Sequence, residues 1–494
     1  MNKSATHQIP APVGGWNARD ALDRMSPEYA LALDNLFPRE NDVVTRDGYT
    51  SHCDTGESAQ TIESIHALEV TTTCKMLATA NGKLLDVTTS SVSTVGTGFS
   101  ENLWNSVVFS GRIFLMNGTD APQDWDGTTL TATAWTGSGL TIANLLKPTA
   151  FKNRIYAVEK DSLNLWYGGV DAVTGAMTKF DLAAVGRFGG VLLGSATISR
   201  DGGNGPDDLF CIFISTGEVL VYSGTDPSSW SIVNRYRMAP PLNPQSILEY
   251  QGDVICITRE GYLSLAQLMA GAGTQPAISD MIRGEANRAA RVYAANDGWN
   301  MCFYPSKQML LFNVPRSTGS FDQHVMNTRT GAWCRFRKLP AACWVVCNNE
   351  IFFGSTDGVV YKFDDGENDN GAEIIVDGQL AWNFLNNGGS QKYFGLVRPI
   401  FTAQNAPPVA IGIACDFDPK ILVSAFNFDP DDPVGVWDEA IWDQAVWGAA
   451  DGVHSDWLVI GAVGYNMSLR IRFGTKERTR WQSSMIRYES GSGL

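Results

Sequence analysis

Residues 207–230, DDLFCIFISTGEVLVYSGTDPSSW, decide the fold class of this chain. An apolar run at 210–214 is followed by a Ser-Thr-Gly turn and a second apolar run at 219–222, and Gly-Thr-Asp-Pro ends the pattern. Gly217 can adopt the positive φ that a tight turn requires, and Val, Ile, Phe and Tyr suit a pleated surface. The stretch therefore predicts two antiparallel strands joined by a tight turn.

The same pattern of strand, turn and strand recurs along the chain, with turns centred on Gly82, Gly118, Asp161, Gly217, Gly261 and Gly358. Two further apolar runs, 309–313 and 324–327, fill the long last interval. A hairpin that repeats every ~40–50 residues is typical of a β-propeller with one such hairpin per four-stranded blade. A lone hairpin cannot bury both faces, whereas blades stacked around an axis can. A large β-sandwich with irregular hairpins is the alternative.

Length and composition limit the class of protein. A chain of 494 residues exceeds what one core usually holds, so we expect two or three domains. The 44% of hydrophobic residues, with 15 Trp and 23 Phe, exclude global disorder. The net charge of −15 argues against a surface that grips DNA or RNA, because such surfaces need clustered Lys and Arg. No window approaches the ~18–20 apolar residues of a membrane span.

The N-terminal segment and the cysteines bear on the compartment. Residues 1–15 contain no apolar run of the kind found in signal peptides, so we expect no export signal. The nine cysteines are scattered, and most lie inside apolar strand runs, where a thiol behaves as a small hydrophobic group. An odd number of cysteines without an export signal predicts reduced thiols and assembly in the cytoplasm.

Composition divides the chain into an N-terminal arm, a propeller and a further C-terminal β region, with predicted bounds 1–55, 56–370 and 371–494. In the arm, residues 26–33 predict a short helix with Ser26 as N-cap and Pro27 in its first position. The polar, Gly-rich segment 364–371 marks the second boundary. The predicted fold is all-β, a β-propeller with an arm and an added C-terminal β platform.

Motifs of catalysis are missing from the sequence. It contains no G-x-x-x-x-G-K-[ST], no H-E-x-x-H and no G-x-S-x-G. None of the five histidines has a metal-ligand spacing from another: His7, His52, His66, His324 and His454. We therefore predict no catalytic, cofactor-binding or metal-ligating residues, no cofactor and no enzyme activity. His324 lies in a predicted strand and is expected to be a core or edge residue.

Three acidic groups were weighed as sites. Segment 364–371 does not place its Asp and Asn in the register of a calcium loop. Asp429–Pro433, DPDDP, is more typical of a solvated turn than of a cation site, and Asp207 with Asp208 ends a loop before a strand. Propellers can carry a carboxylate pair for sugar hydrolysis on distant loops, so that possibility stays open, although no pair stands out.

Tryptophans mark two further turns. Trp333 follows a turn at 327–331 and is expected to close the end of a blade. In 437–447, WDEAIWDQAVW, three Trp are spaced by five residues, which fits neither one face of a strand nor one face of a helix. The segment indicates turns fixed by packed Trp-Asp pairs rather than a ligand platform. These pairs lack the spacing and the Gly-His partner of WD40 repeats.

Seven segments, spread over all three predicted regions, carry a family resemblance: Gly14–Asp20, Met25–Ala30, Leu33–Arg39, Val44–Tyr49, Asp207–Val233, Asn327–Phe336 and Trp437–Trp447. Together they resemble the tail nozzle proteins of short-tailed bacteriophages. The resemblance implies a β-propeller with a β platform, assembled as a homo-hexamer below the portal and the adaptor (head-to-tail connector) protein. It also implies no enzymatic activity, a place in the virion tail and assembly in the host cytoplasm.

The resemblance further implies what the ring does. It would extend the DNA channel, help to retain the packaged genome and mount tail fibres or a tip. Packaged double-stranded DNA would pass without specific binding, so we expect an acidic or neutral channel wall. Two other functions remain open: a carbohydrate-binding or glycoside-cleaving propeller, which needs acidic and aromatic loops at one mouth, and a cytosolic propeller scaffold, which leaves the arm and the C-terminal region unexplained.

Overall fold

The computed structural model describes residues 4–70, 73–201, 206–271, 277–385, 387–418, 422–425 and 452–491. The chain forms two compact units. Ser51–Asp322 with Lys338–Lys362 form the first, which we call the propeller unit. Met1–Thr50, Gln323–Arg337 and Phe363–Leu494 form the second, which we call the two-sheet unit.

Six sheets of the propeller unit are its blades, numbered here in chain order. Their strands are, for blade 1, Ser64–Val70, Thr73–Ala80, Lys83–Asp86 and Ser93–Thr97; for blade 2, Asn105–Phe109, Arg112–Met116, Gln123–Trp125 and Leu130–Ala132; for blade 3, Leu145–Phe151, Arg154–Glu159, Asn164–Tyr167 and Thr178–Asp181; for blade 4, Leu192–Asp201, Pro206–Ile214, Glu218–Ser223 and Ser231–Arg237; for blade 5, Ile247–Tyr250, Asp253–Thr258 and Gly261–Ser264; for blade 6, Ala341–Cys347, Glu350–Ser355, Val359–Phe363 and Tyr49–Asp54.

Smaller elements complete the propeller unit. An antiparallel strand pair, Met301–Tyr304 with Met309–Ser317, contacts blade 5 on one side and blade 6 on the other. Trp135–Thr136 and Gly175–Ala176 form a short parallel pair. The helices are Leu265–Met269 and Arg283–Val292, with 3-10 turns at Ile142–Asn144, Pro227–Ser229, Pro244–Ser246, Asp280–Ile282 and Pro305–Lys307. The described part of the chain has no helix long and apolar enough to cross a membrane.

The hairpin of strands Pro206–Ile214 and Glu218–Ser223 forms the centre of blade 4. Its strands pair antiparallel, with Phe210 opposite Tyr222. Gly217 has φ +86°, and a Cβ there would lie 2.1 Å from the carbonyl oxygen of Met238. Only glycine suits this turn, because both the left-handed backbone and the close backbone approach exclude a side chain.

Each blade buries its faces against its neighbours. Clusters of buried side chains lie between blades 1 and 2, 2 and 3, 3 and 4, 4 and 5, and 6 and 1. Between blades 3 and 4, the rings of Phe151, Tyr156 and Phe210 pack around Trp230 at centroid distances of 5.0–6.2 Å. Fully burying one such side chain contributes about 1.5–3 kcal/mol. The predicted propeller is confirmed, and the single sandwich is not observed.

Two features join the first and last blades. Tyr49–Asp54, from early in the chain, is the outer strand of blade 6. Thr55 continues this connection, since its backbone N–H donates to the carbonyl oxygen of Gly358 at 3.1 Å. In addition, Cys74 of blade 1 and Cys347 of blade 6 form a disulfide.

The disulfide corrects the expectation that all thiols are reduced. Cys74 and Cys347 are 273 residues apart in sequence, yet their Cα atoms are 5.7 Å apart because the ring brings its ends together. The other seven cysteines are free thiols, and all of them except Cys415 are buried.

The two-sheet unit consists of two sheets, called sheets A and B, that pack face to face. The rings of Phe401 in sheet A and Phe473 in sheet B are 5.8 Å apart. The strands are, for sheet A, Ser4–Pro10, Leu36–Pro38, Val43–Thr45, Lys392–Ala403, Gly452–His454, Leu458–Gly464 and Arg480–Ser490; for sheet B within this unit, Gly15–Trp16, Tyr29–Asp34, Trp333–Arg337, Ile374–Leu380, Ala410–Cys415, Leu422–Ala425 and Met467–Thr475. The chain enters this unit within the strand Ser320–Asn327.

The helix predicted at 26–33 is wrong, since Tyr29–Asp34 is a strand. Ala30 lies opposite Leu380 and Leu33 opposite Gly378 in an antiparallel pair, and both Ala30 and Leu33 are fully buried. The Ser-Pro start of a helix is a weak local preference, and pairing with a distant strand overrides it.

The N-terminal region is part of a folded unit and not a separate arm. Residues 4–10 pair antiparallel with residues 483–489, and Trp16, Leu36 and Phe37 are buried. The two-sheet unit therefore combines most of the first predicted region, up to Thr50, with the C-terminal region from Phe363 onward and with Gln323–Arg337. Sequence spacing alone could not show this combination. Trp333 also lies in this unit, at the start of a strand, and does not close a blade.

Candidate functional site

Only some of the residues considered as catalytic or metal-binding lie in the described part of the chain. The described part of the chain holds no group of three or more His, Cys, Asp or Glu placed to bind a metal ion. His324 packs edge-on against the ring of Trp16, with centroids 5.3 Å apart, as a core residue does. Residues 429–433 and 437–447 lie outside the described residues.

The acidic groups that can be placed serve ion pairs. Asp208 accepts from Lys152 Nζ at 3.0 Å and from Ser199 Oγ at 2.8 Å, and these contacts hold the pKa of its carboxyl below the usual value. In segment 364–371, the carboxylate of Asp369 accepts two hydrogen bonds from the terminal nitrogens of Arg46, each at 2.7 Å. These carboxylates have structural roles.

A small polar cavity lies among the inner strands of the propeller unit. Its volume is about 200 Å³, and blades 1, 2, 3, 5 and 6 and the strand pair all contribute to its wall. Its polar side chains include His66, Asn105, Lys147, Gln245 and Asn300. The indole rings of Trp104, Trp299 and Trp344 supply apolar wall.

Two buried side chains of this cavity have polar atoms without a protein partner. His66 is 7% exposed and Asn105 is 5% exposed. His66 Nδ1 lies 2.9 Å from Ser106 Oγ, whereas His66 Nε2 and Asn105 Nδ2 pair with no described protein group. Burial lowers the pKa of His66 to about 3, so the ring is neutral at physiological pH. An unpaired buried polar atom costs about 1–3 kcal/mol, which makes these atoms candidates for ligand contacts.

Lys147 occupies an irregular point of blade 3. The strand register shifts between Leu146 and Thr149, and Lys147 has φ +46°, a left-handed conformation that is strained for a lysine. Its Nζ donates to the carbonyl oxygen of Ile247 at 3.2 Å. Desolvation lowers the pKa of Lys147 to about 8, against an opposing effect of Glu249.

A second cavity of about 300 Å³ adjoins the first, and both have Glu63, Leu103 and Gly298 in their walls. Burial raises the pKa of Glu63, and the carboxylates of Asp297 and Glu101 raise it further, while a hydrogen bond from Asn102 opposes the shift. The cavity system is therefore acidic at the Glu63 side and cationic at Lys147.

The two-sheet unit carries a different candidate, an exposed apolar face. In strand Leu458–Gly464 the side chains alternate, with Val459 65% exposed and Val463 53% exposed. Tyr393 lies directly opposite Val463 on the neighbouring strand and is 47% exposed. We call Tyr393, Val453, Trp457, Val459, Val463 and Tyr465 the apolar face; all six are exposed.

Sequence reasoning found neither candidate. The cavity residues are polar side chains at the starts of inner strands, and only the closed ring brings them together. The strand of the apolar face, residues 458–464, consists only of apolar residues and glycine, which is a visible signal. A strand that is buried on both faces has the same composition, so the sequence does not show that Val459 and Val463 are exposed.

Comparisons with known proteins give only distant likenesses. No protein-family model and no curated protein matches the chain. The crystal structure of BBS1N in complex with ARL6DN is similar with a TM-score of 0.39 and 8% identity, over 65% of this chain and 97% of that one. The Neurospora crassa Pan2 WD40 domain is similar with a TM-score of 0.39 and 8% identity, over 67% of this chain and 98% of that one. Saccharomyces cerevisiae Sqt1 is similar with a TM-score of 0.38 and 10% identity, over 65% of this chain and 99% of that one. The chain's own blades define it as a β-propeller.

Proposed function

We propose that this protein is a structural component of a short-tailed phage tail, a nozzle subunit that assembles into a ring of six. The motifs at residues 14–49 and 207–233 support the proposal through their resemblance to that family. In this role the ring lies below the portal and adaptor, extends the DNA channel, helps to retain the genome and mounts fibres or a tip. The protein performs no catalysis.

The apolar face is the observation that carries the proposal. Monomeric proteins tolerate single exposed apolar residues, whereas a group of them on neighbouring strands, as with Tyr393 opposite Val463, is typical of an interface. The strand Leu458–Gly464 pairs with Lys392–Ala403, and the described residues supply no strand along its other edge. Such an edge invites pairing with another chain, and a second copy is the partner that a ring requires.

The charge of the chain fits a channel for DNA. Each chain has a net charge of −15, so six copies carry −90. A duplex with one charge per ~1.7 Å is repelled by an acidic wall and stays mobile. Retention of the genome then requires a steric barrier and not adhesion.

A charge placed on the apolar face tests the assembly. Val459→Asp with Val463→Asp should abolish a ring whose mass is six times 53.7 kDa, because each introduced carboxylate would be buried at the contact. Light scattering after size-exclusion chromatography, with and without a portal–adaptor complex, measures the mass. Because both valines are exposed, the melting temperature should change little.

Val170→Asp is the matched control, since Val170 is 57% exposed, belongs to the propeller unit and is not part of the apolar face. It should assemble as the wild type does. A wild-type chain that remains a monomer alone and with the portal–adaptor complex contradicts the proposal, and so does a Val459→Asp, Val463→Asp chain that still forms the ring.

A further inference from the structure

The polar cavity of the propeller unit has two chemically different sides. His66 Nε2, Asn105 Nδ2 and Lys147 Nζ come from the inner strands of blades 1, 2 and 3, which follow one another around the ring. Asn105 and Lys147 present N–H donors. His66 presents one as well when Ser106 Oγ donates to its Nδ1.

The other side presents acceptors. Gln245 precedes blade 5, and Asn300 precedes the strand pair. Asn300 Nδ2 donates to the carbonyl oxygens of Gly298 and Ala342 at 2.9 and 2.8 Å, and Asn300 Oδ1 is buried without a partner among the described groups. Gln245 Oε1 is also buried without a partner among the described groups. These two oxygens accept hydrogen bonds from hydroxyl groups.

We propose that this cavity binds a small hydroxylated carboxylate of monosaccharide size. Its carboxylate lies against Lys147, Asn105 and His66, its hydroxyl groups donate to Gln245 and Asn300, and its C–H face packs on the tryptophan wall. The four buried polar atoms that lack a described protein partner, His66 Nε2, Asn105 Nδ2, Gln245 Oε1 and Asn300 Oδ1, then each gain one. Glu63 and Asp297 line the second cavity, so the orientation with the ligand carboxylate at Lys147 places that charge beside the cation.

This binding site is separate from the proposed role in the tail. Either proposal can be wrong without affecting the other. Lys147 has a strained left-handed backbone conformation. Backbone strain of this kind is concentrated at functional positions in proteins. Gly194 contributes to the arrangement, because a Cβ there would lie 3.1 Å from Lys147 Cγ. Glycine at this position therefore leaves space for the lysine stem.

Calorimetric titration of the full chain at pH 7 with D-glucuronate tests the site. We expect saturable binding of one molecule per chain and a higher melting temperature. D-glucose, which has the ring without the carboxylate, and acetate, which has the carboxylate without hydroxyl groups, should each bind at least about tenfold more weakly, since each loses hydrogen bonds that involve one side.

Lys147→Met should weaken glucuronate binding at least about tenfold, because it removes the cationic donor and keeps the length of the side chain. Lys179→Met is the control, since Lys179 is exposed on the outer strand of blade 3. It should bind glucuronate as the wild type does. Equal binding by Lys147→Met and the wild type would overturn the proposal.

The pH dependence of the wild type gives a test that needs no variant. Glucuronate affinity should fall as the pH rises through about 8, where Lys147 loses its proton. Other titratable groups also face Lys147 or this cavity. Glu249 acts on the pKa of Lys147 in the direction opposite to desolvation, burial raises the pKa of Glu63 and of the Cys256 thiol, and His66 stays neutral because burial lowers its pKa to about 3. If glucuronate gives no saturable heat and no thermal shift at any pH, the cavity holds only water and the proposal fails.

Discussion

At the scale of single residues, the ion pair of Arg46 and Asp369 holds together parts of the chain that are 323 positions apart. The Arg46 side chain is fully buried and also donates from Nε to Asn35 Oδ1 at 3.0 Å. Two parallel N–H to carboxylate bonds satisfy the arginine, so the pair links the N-terminal strands to the segment that follows blade 6.

Asp369→Asn should lower the free energy of unfolding by about 3–5 kcal/mol, because it leaves the buried arginine without a counter-charge. Urea unfolding followed by tryptophan fluorescence measures the loss. Glu350→Gln is the matched control: Glu350 is half exposed and pairs with Lys362 at 2.6 Å, and breaking that pair should cost at most about 1 kcal/mol. Equal losses for the two variants would show that Asp369 is not a buried partner.

At the scale of elements, the ends of the propeller ring are joined by a strand and by a disulfide. Cys74 lies on the second strand of blade 1, and Cys347 ends the first strand of blade 6. A bond between them closes a long loop of chain and restricts the unfolded state.

Reduction, or the Cys347→Ser change, should lower the stability of the propeller unit by about 2–4 kcal/mol. Cys415→Ser removes a free and less buried thiol of the two-sheet unit and serves as control. Mass spectrometry of unreduced tryptic peptides should recover the peptide of Cys74 joined to that of Cys347. Nine titratable thiols in the unfolded, unreduced chain would contradict the disulfide.

The N-terminal strands make a second prediction at this scale. Removing residues 1–40 deletes a strand paired with residues 483–489 and the buried Trp16, Leu33 and Leu36. The truncated chain should melt at a lower temperature and fail to assemble, whereas removing only residues 1–3 should have no effect. A stable, assembling chain without residues 1–40 would show that these strands are dispensable.

At the scale of the whole molecule, local patterns predicted the blades because each hairpin is a contiguous stretch with its own turn, as at Gly217. They could not predict contacts that depend on ring closure or on pairing of distant strands. Pairing with a distant strand makes Tyr29–Asp34 a strand and not the predicted helix. The disulfide, the cavity around Lys147 and the union of the N- and C-terminal regions also depend on such distant contacts, and local patterns did not predict them. Local sequence patterns therefore predict individual strands, whereas the cavity forms only when the blades close into a ring.

We propose that the chain forms a ring of six in a phage tail. The sharpest test is cryo-electron microscopy of purified virions of a phage that encodes the chain. We expect six copies around the tail axis below the adaptor, each with a β-propeller and a two-sheet unit, and with the apolar face buried between copies. Virions that lack the chain, or a tail density in which the apolar face is exposed to solvent, would contradict this proposal.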